Sequence, residues 1–136
     1  MLAVCRDTSS EWEVALKPRY GYSAKEWEAA RKVGTRLIGA AARDEKTITY
    51  SDLVARLETT IALKAESRAL ADLLDEISKE QEARGRGMLS AVVVRKDTQR
   101  PGLGFFKLAQ ELGRDTSDSE KCWVEEFNRV IAIWKS

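Results

Sequence analysis

Apolar residues recur along most of this chain at helical spacing, and in a few places they gather into short runs that suit strands instead. Trp27, Ala30, Gly34, Leu37, Ile38 and Ala41 fall at steps of three and four, with Lys25, Glu28, Arg31, Lys32 and Arg36 on the opposite face. That stripe predicts a long amphipathic helix, and Ser23 with Glu26 has the spacing of a capping box at its start. A second strong stripe, Leu70, Leu73, Leu74 and Ile77, predicts a helix from Glu66 that stops at Gly85, where a left-handed turn costs glycine little. Phe105, Leu108, Ala109 and Leu112 share one helical face closed by Gly113. The last stripe holds Trp123, Phe127, Val130, Ile131 and Trp134, behind a start signal at Ser117 with Glu120, and predicts a helix that packs down on the domain.

Strand-like runs lie at Thr47 to Tyr50 and at Leu89 to Val94, the latter almost wholly apolar and so expected inside a sheet. Thr49, with Asp52 three residues on, is placed to cap a short helix that turns Leu53, Val54 and Leu57 inward. Glu58 to Ala65 has no cap and no clear period, which suggests a connection with an extended or frayed stretch. Ahead of the first helix, residues 1–22 read as an N-terminal arm, in which Trp12, Val14 and Leu16 alternate with Glu13 and Ala15 until Pro18 ends the pattern. Residues 23–136 form one domain.

Between Thr47 and Gly113 the order is strand, helix, helix, strand, then a charged turn from Arg95 to Gly104. This is the order of a winged helix, with that turn as candidate wing. The expected fold is α+β and winged-helix-like, mostly helical, with a small antiparallel sheet and a C-terminal packing helix.

Composition narrows the chemistry. The 136 residues, 43% hydrophobic, suit a single core that removes roughly two thirds of the unfolded surface from water. Basic and acidic residues nearly balance, 23 against 22, so any electrostatic attraction must be local. Two cysteines, Cys5 and Cys122, have no metal or redox spacing, and histidine is absent, which removes the usual zinc sets and His-based triads. No run reaches the length of a membrane span, and a cytoplasmic location is expected. No acidic set has ligand spacing and no Gly-rich phosphate loop precedes a helix, so no enzyme, metal or cofactor is expected.

A resemblance sits on Thr47-Ile48-Thr49-Tyr50-Ser51-Asp52-Leu53, Ala65-Glu66-Ser67-Arg68-Ala69-Leu70 and Val93-Val94 before a Gly-bearing turn. Together they resemble the winged-helix domain of alkylguanine-DNA alkyltransferases and their catalytically silent relatives. The resemblance implies that Tyr50 takes the place of a tyrosine that rotates a DNA phosphate, and Arg68 that of an arginine replacing a flipped base. The family's reactive Cys-His pair would fall at Ser90 and Ala91, so alkyl acceptance is excluded: neither a thiolate nor a base is present. Pro101-Gly102-Leu103-Gly104-Phe105-Phe106 is similar to a pattern in small bacterial proteins of no assigned activity.

Local charge splits the expectation in two. Glu66, Asp72, Asp75, Glu76, Glu80 and Glu82 outweigh Arg68, Lys79 and Arg84 along the helix that would read DNA. Phosphates repel such a helix. Arg86, Arg95, Lys96, Arg100 and Lys107 then stand against Asp97 alone. One expectation is therefore a non-catalytic nucleic-acid-binding protein that uses this basic wing, with Tyr50 and Arg68 as further contacts. The other is a protein-interaction module that docks through the acidic helix or an exposed aromatic, or forms a homodimer. Tyr50 as a half-buried strand residue, Arg68 as an ion-pair partner of Asp72, and Trp123 and Trp134 as core are the plain structural alternatives.

Overall fold

The computed structural model describes residues 20–58, 60–65 and 67–136; the alternating stretch Trp12 to Leu16, Cys5 and Glu66 lie outside them. Helix α1 (Ala24–Arg43) opens on the expected capping box, Ser23 Oγ accepting from Glu26 N and Glu26 Oε1 from Ser23 N. Strand β1 (Ile48–Thr49) runs into α2 (Tyr50–Leu57), which is capped by Thr49 as its sequence indicates. After the connection comes α3 (Arg68–Ala83), capped by Ser67 and followed by Gly85 in the left-handed region. A 3-10 turn (Leu89–Val92), β2 (Val93–Val94), α4 (Leu103–Glu111) and α5 (Ser119–Lys135) complete the chain.

Three expectations are corrected. The sheet is parallel, with Ile48 opposite Val93 and Thr49 opposite Val94. Two helices intervene between its strands, and a helical crossover returns the chain in the direction it started, where an antiparallel pair needs only a tight hairpin. The apolar run Leu89 to Val94 is a strand only in its last two residues. Fully buried runs have no polar face to betray their period, and here side chains replace sheet partners. Met88 N donates to Glu126 Oε2 at 2.8 Å, Ser90 N to Ser78 Oγ at 2.9 Å, and Trp123 Nε1 to the Ala91 carbonyl at 2.8 Å. Such bonds satisfy a buried backbone that has left the ladder. The cap of α5 is Asp118, which accepts from Lys121 N, while Ser117 bonds Asp115 instead.

The 3-10 turn is the hub of the molecule, packed against α1, α3 and α5. Around it the main core gathers Ile38, Leu53, Leu57, Leu70, Leu73, Ile77, Leu89 and Val93, and a smaller cluster fills the space between α4 and α5 with Met88, Val94, Phe105, Leu108 and Trp123. Trp123 and Trp134 are thus buried. The connection after α2 is less frayed than its sequence suggests, since Ile61 and Leu63 both turn inward. Cys122 is a buried thiol whose pKa burial pushes up. Among the described residues no helix is long and apolar enough to cross a membrane.

One close approach fixes how α1 and α5 cross. A Cβ on Gly39 would lie 2.5 Å from the Trp134 ring, so the indole rests directly on the helix backbone. Gly39→Ala gains about 1 kcal/mol of helix propensity but must displace a buried ring, which costs about 1–3 kcal/mol. The expected net result is a lower urea midpoint with red-shifted tryptophan emission.

Candidate functional site

A cavity of about 550 Å3 opens where α2, α3 and α4 begin. Tyr50 and Ser51 reach it from the first turn of α2, Ser67 from the cap of α3, and Gly102, Gly104 and Phe105 from the start of α4. Three helix N-termini therefore meet at one opening, and each brings the positive end of a helix dipole, although Thr49 and Ser67 already receive the N–H groups of Asp52 and Leu70. The start of α4 has no capping side chain. Such a convergence favours anions.

Side chains strengthen that polarity at the rim and oppose it inside. Arg95 and Lys96 lie at the opening with Asp97, whose carboxylate Arg95 grips with two bonds of 3.0 and 2.8 Å. That grip lowers the Asp97 pKa to about 2. Leu70, Leu74 and Phe105 form the apolar part of the wall, and Asp75 and Ser90 are the polar groups beyond them. Asp75 makes no hydrogen bond or ion pair among the described residues, and burial raises its pKa, against the pull of Lys79. Ser90, 6% exposed, receives the Ser78 hydroxyl at 2.6 Å and returns its own N–H to Ser78 Oγ, which leaves its O–H free to donate. Tyr50 Oη accepts the Gly102 N–H at 2.9 Å and so ties α2 to the turn before α4; burial raises its pKa.

The residues singled out in the sequence separate into two groups. Tyr50, Arg95 and Lys96 line the cavity, and Arg68 is exposed beside Ser67 at the first position of α3. Lys107 is exposed one turn along α4 from Gly104. Arg100 and Arg86 stand apart. Arg100 forks onto Glu120 at 2.7 and 2.8 Å and covers the Trp123 ring, with its guanidinium 4.5 Å from the centroid. Arg86 lies 5.6 Å from the Trp134 ring centroid, which Arg43 also approaches to 5.2 Å, and takes no part in the cavity wall. The charged turn closes on itself through Arg95 N to the Arg100 carbonyl and runs directly into α4, as the helical stripe of Phe105 to Leu112 implies, so it carries no returning strand.

The acidity of α3 has an internal explanation that its own sequence window could not reveal. Glu76 accepts Trp27 Nε1 at 3.0 Å, Glu80 holds Arg31 and Arg84, and Glu82 holds Arg114 through both oxygens. Asp72 takes the Tyr20 hydroxyl, not the Arg68 guanidinium. Asp75 alone among these described carboxylates is left without such a partner. Asp75 and Ser90 had no motif to announce them; the only signal in the sequence was an aspartate one step from the apolar stripe of a helix. Comparison with protein-family models, with curated proteins and with solved structures finds no match to this chain.

Proposed function

We propose that this chain is a non-catalytic nucleic-acid-binding domain of winged-helix-like type, in which the cavity mouth takes the place expected of a wing. The reading rests on one observation: three helix N-termini and the Lys96 ammonium converge on a cavity large enough for a nucleotide, with the Arg95 guanidinium beside them held by Asp97. A phosphate at the mouth meets backbone N–H groups and the Lys96 ammonium, with Arg68 beside them. A single unstacked base enters between Leu70, Leu74 and Phe105, where Asp75 accepts from an exocyclic amino group and Ser90 donates to a carbonyl or ring nitrogen. Resemblance to the silent relatives of alkyltransferases, which rests on Tyr50, Arg68 and the Ser90-Ala91 replacement, points the same way.

The alternative, docking of a basic protein on α3, has less support because Glu76, Glu80 and Glu82 already serve internal partners. Binding of fluorescein-labelled single-stranded and duplex DNA, measured from 50 to 300 mM salt, tests the proposal. Each neutralised phosphate contributes a slope of roughly −0.7 on single strands, so two to three contacts predict about −1.5 to −2. Lys96→Ala is expected to reduce that slope by about 0.7. A slope near zero with the parent protein would sink the idea.

A further inference from the structure

Arg86 has no place in the cavity wall, and its surroundings at the far end of α3 are built with some care. It stands between Gly85 and Gly87, both in the left-handed region, and its N–H meets the Gln81 carbonyl at 2.9 Å. A Cβ on Gly87 would come within 3.1 Å of Glu126 and Val130, so the segment is pinned against α5. From there the Arg86 guanidinium reaches the Trp134 indole, which Arg43, the last residue of α1, reaches as well. Both arginines are exposed, and neither makes an ion pair among the described residues. Neither is needed to cap its helix: the N–H groups of Asp44, Glu45 and Lys46 meet the carbonyls of Ala40 to Ala42, and those of Arg84, Gly85 and Arg86 meet Glu80 to Glu82. The Trp134 ring is 9% exposed, and its buried Nε1–H finds no acceptor among the described residues.

The other indole with an arginine over it offers a comparison. Arg100 covers Trp123 and forks onto Glu120, so cation, ring and oxyanion occur together. At Trp134 there are two cations, and no carboxylate of the described chain joins them. We propose that Arg43, Arg86 and Trp134 form a binding site for a phosphate monoester group, separate from the cavity. A monoester carries close to two negative charges at neutral pH, which two guanidiniums balance, whereas a carboxylate or a phosphodiester brings one. Planar guanidinium forks suit phosphate oxygens. Stacking on the indole restricts both side chains beforehand, which lowers the ordering cost of binding. The site stands independently of the nucleic-acid reading, because the cavity opens at the start of α3 and Arg86 follows its end, 16 residues or about 24 Å away.

Titration of the nitrogen-15-labelled full chain with inorganic phosphate at constant ionic strength, followed through the Trp134 indole N–H resonance, tests the proposal. That resonance should shift saturably while that of Trp27, bonded to Glu76, stays in place. Arg43→Gln and Arg86→Gln, at exposed positions and so folded, should each weaken the apparent affinity about tenfold or more, the worth of one charge-assisted hydrogen bond. Lys96→Ala, at the cavity mouth, should leave it unchanged. Phenyl phosphate should act as inorganic phosphate does, and oligo-dT with hydroxyl ends, which carries only diesters, should shift the resonance far less at equal phosphate concentration. An oligo-dT response as strong as that of phosphate would overturn the proposal by giving the arginines to a nucleic-acid backbone. So would an unmoved resonance, an equal shift with chloride, or a shift that survives in both glutamine variants. The salt slope of the parent on DNA decides the cavity reading separately.

Discussion

Replacing Arg114 by alanine is expected to lower the stability of this domain by about 3 kcal/mol, a large share of the roughly 5–15 kcal/mol that holds such a fold together. Arg114 lies in the connection between α4 and α5, only 16% exposed, and forks onto two carboxylates at once. Its Nη1 and Nη2 meet Glu82 of α3 at 2.7 and 2.8 Å, while Nε and Nη2 meet Glu126 of α5 at 3.0 and 3.1 Å. Glu126 is only 4% exposed and also receives the Met88 N–H, so it secures the entry to the central 3-10 turn. Without the guanidinium, Glu126 is a buried carboxylate with Arg129 at 3.9 Å as its remaining cation. Removing one partner of a buried pair is far more costly than the pair itself is stabilising, because the other charge stays desolvated. Arg114→Lys should recover less than half of the loss, since an ammonium cannot fork onto both carboxylates. Urea denaturation of the two variants measures this, and a midpoint within error of the parent for Arg114→Ala would refute the role.

The same cluster sets an acid limit. Hydrogen bonding to Arg114 and then its charge hold the Glu82 pKa below the ordinary 4.5. A carboxyl whose pKa is depressed by folding contributes stability above its unfolded value, and that contribution disappears as pH falls through the folded one. The parent should therefore lose stability below about pH 4.5, and Arg114→Ala should show a flatter fall over that interval.

Helix starts were legible in the sequence where the signal is local. Ser23 with Glu26 and Thr49 with Asp52 behave as their spacing says, because a cap involves only residues one turn apart. At α5 two such signals compete in adjacent positions, and Asp118 wins after Asp115 engages Ser117. The Leu89 to Val94 run was readable as core but not as backbone, because the residues that satisfy a 3-10 turn there, Ser78, Trp123 and Glu126, are remote in the chain. Charge was the least legible property. Arg100 stands in a basic stretch yet finds Glu120, and the acidic face of α3 finds Trp27, Arg31 and Arg114, so a window's net charge misstates the field at its surface. The cavity follows the same rule: each helix start around it is a local feature, but their convergence is a property of the packing.

Asp75 should separate stability from binding more clearly than any other residue in the cavity. The carboxylate is partly desolvated, has no hydrogen-bond partner among the described residues, and burial raises its pKa. A group placed for the fold alone would be paired, as Glu76, Glu80 and Glu82 are. Asp75→Asn keeps the shape and removes the charge, so stability at pH 7 should fall by no more than about 0.5 kcal/mol and can rise. Binding should respond in the opposite sense. Loss of a charge-assisted hydrogen bond to an amino-bearing base is worth about 1.5–3 kcal/mol, or a fall of about ten- to a hundredfold in affinity for oligo-dC, with a much smaller change for oligo-dT, which lacks an exocyclic amine. The pH dependence carries its own sign. A carboxyl with a raised folded pKa favours the folded state most when protonated, so the parent should lose some stability as pH rises from the ordinary 3.8 through the higher folded value, and Asp75→Asn should not. Titrations of both variants with the two homopolymers, alongside urea denaturation at acid and neutral pH, decide the matter. An asparagine variant that is markedly less stable yet binds oligo-dC as tightly as the parent would make Asp75 a structural residue and leave the cavity without its reader.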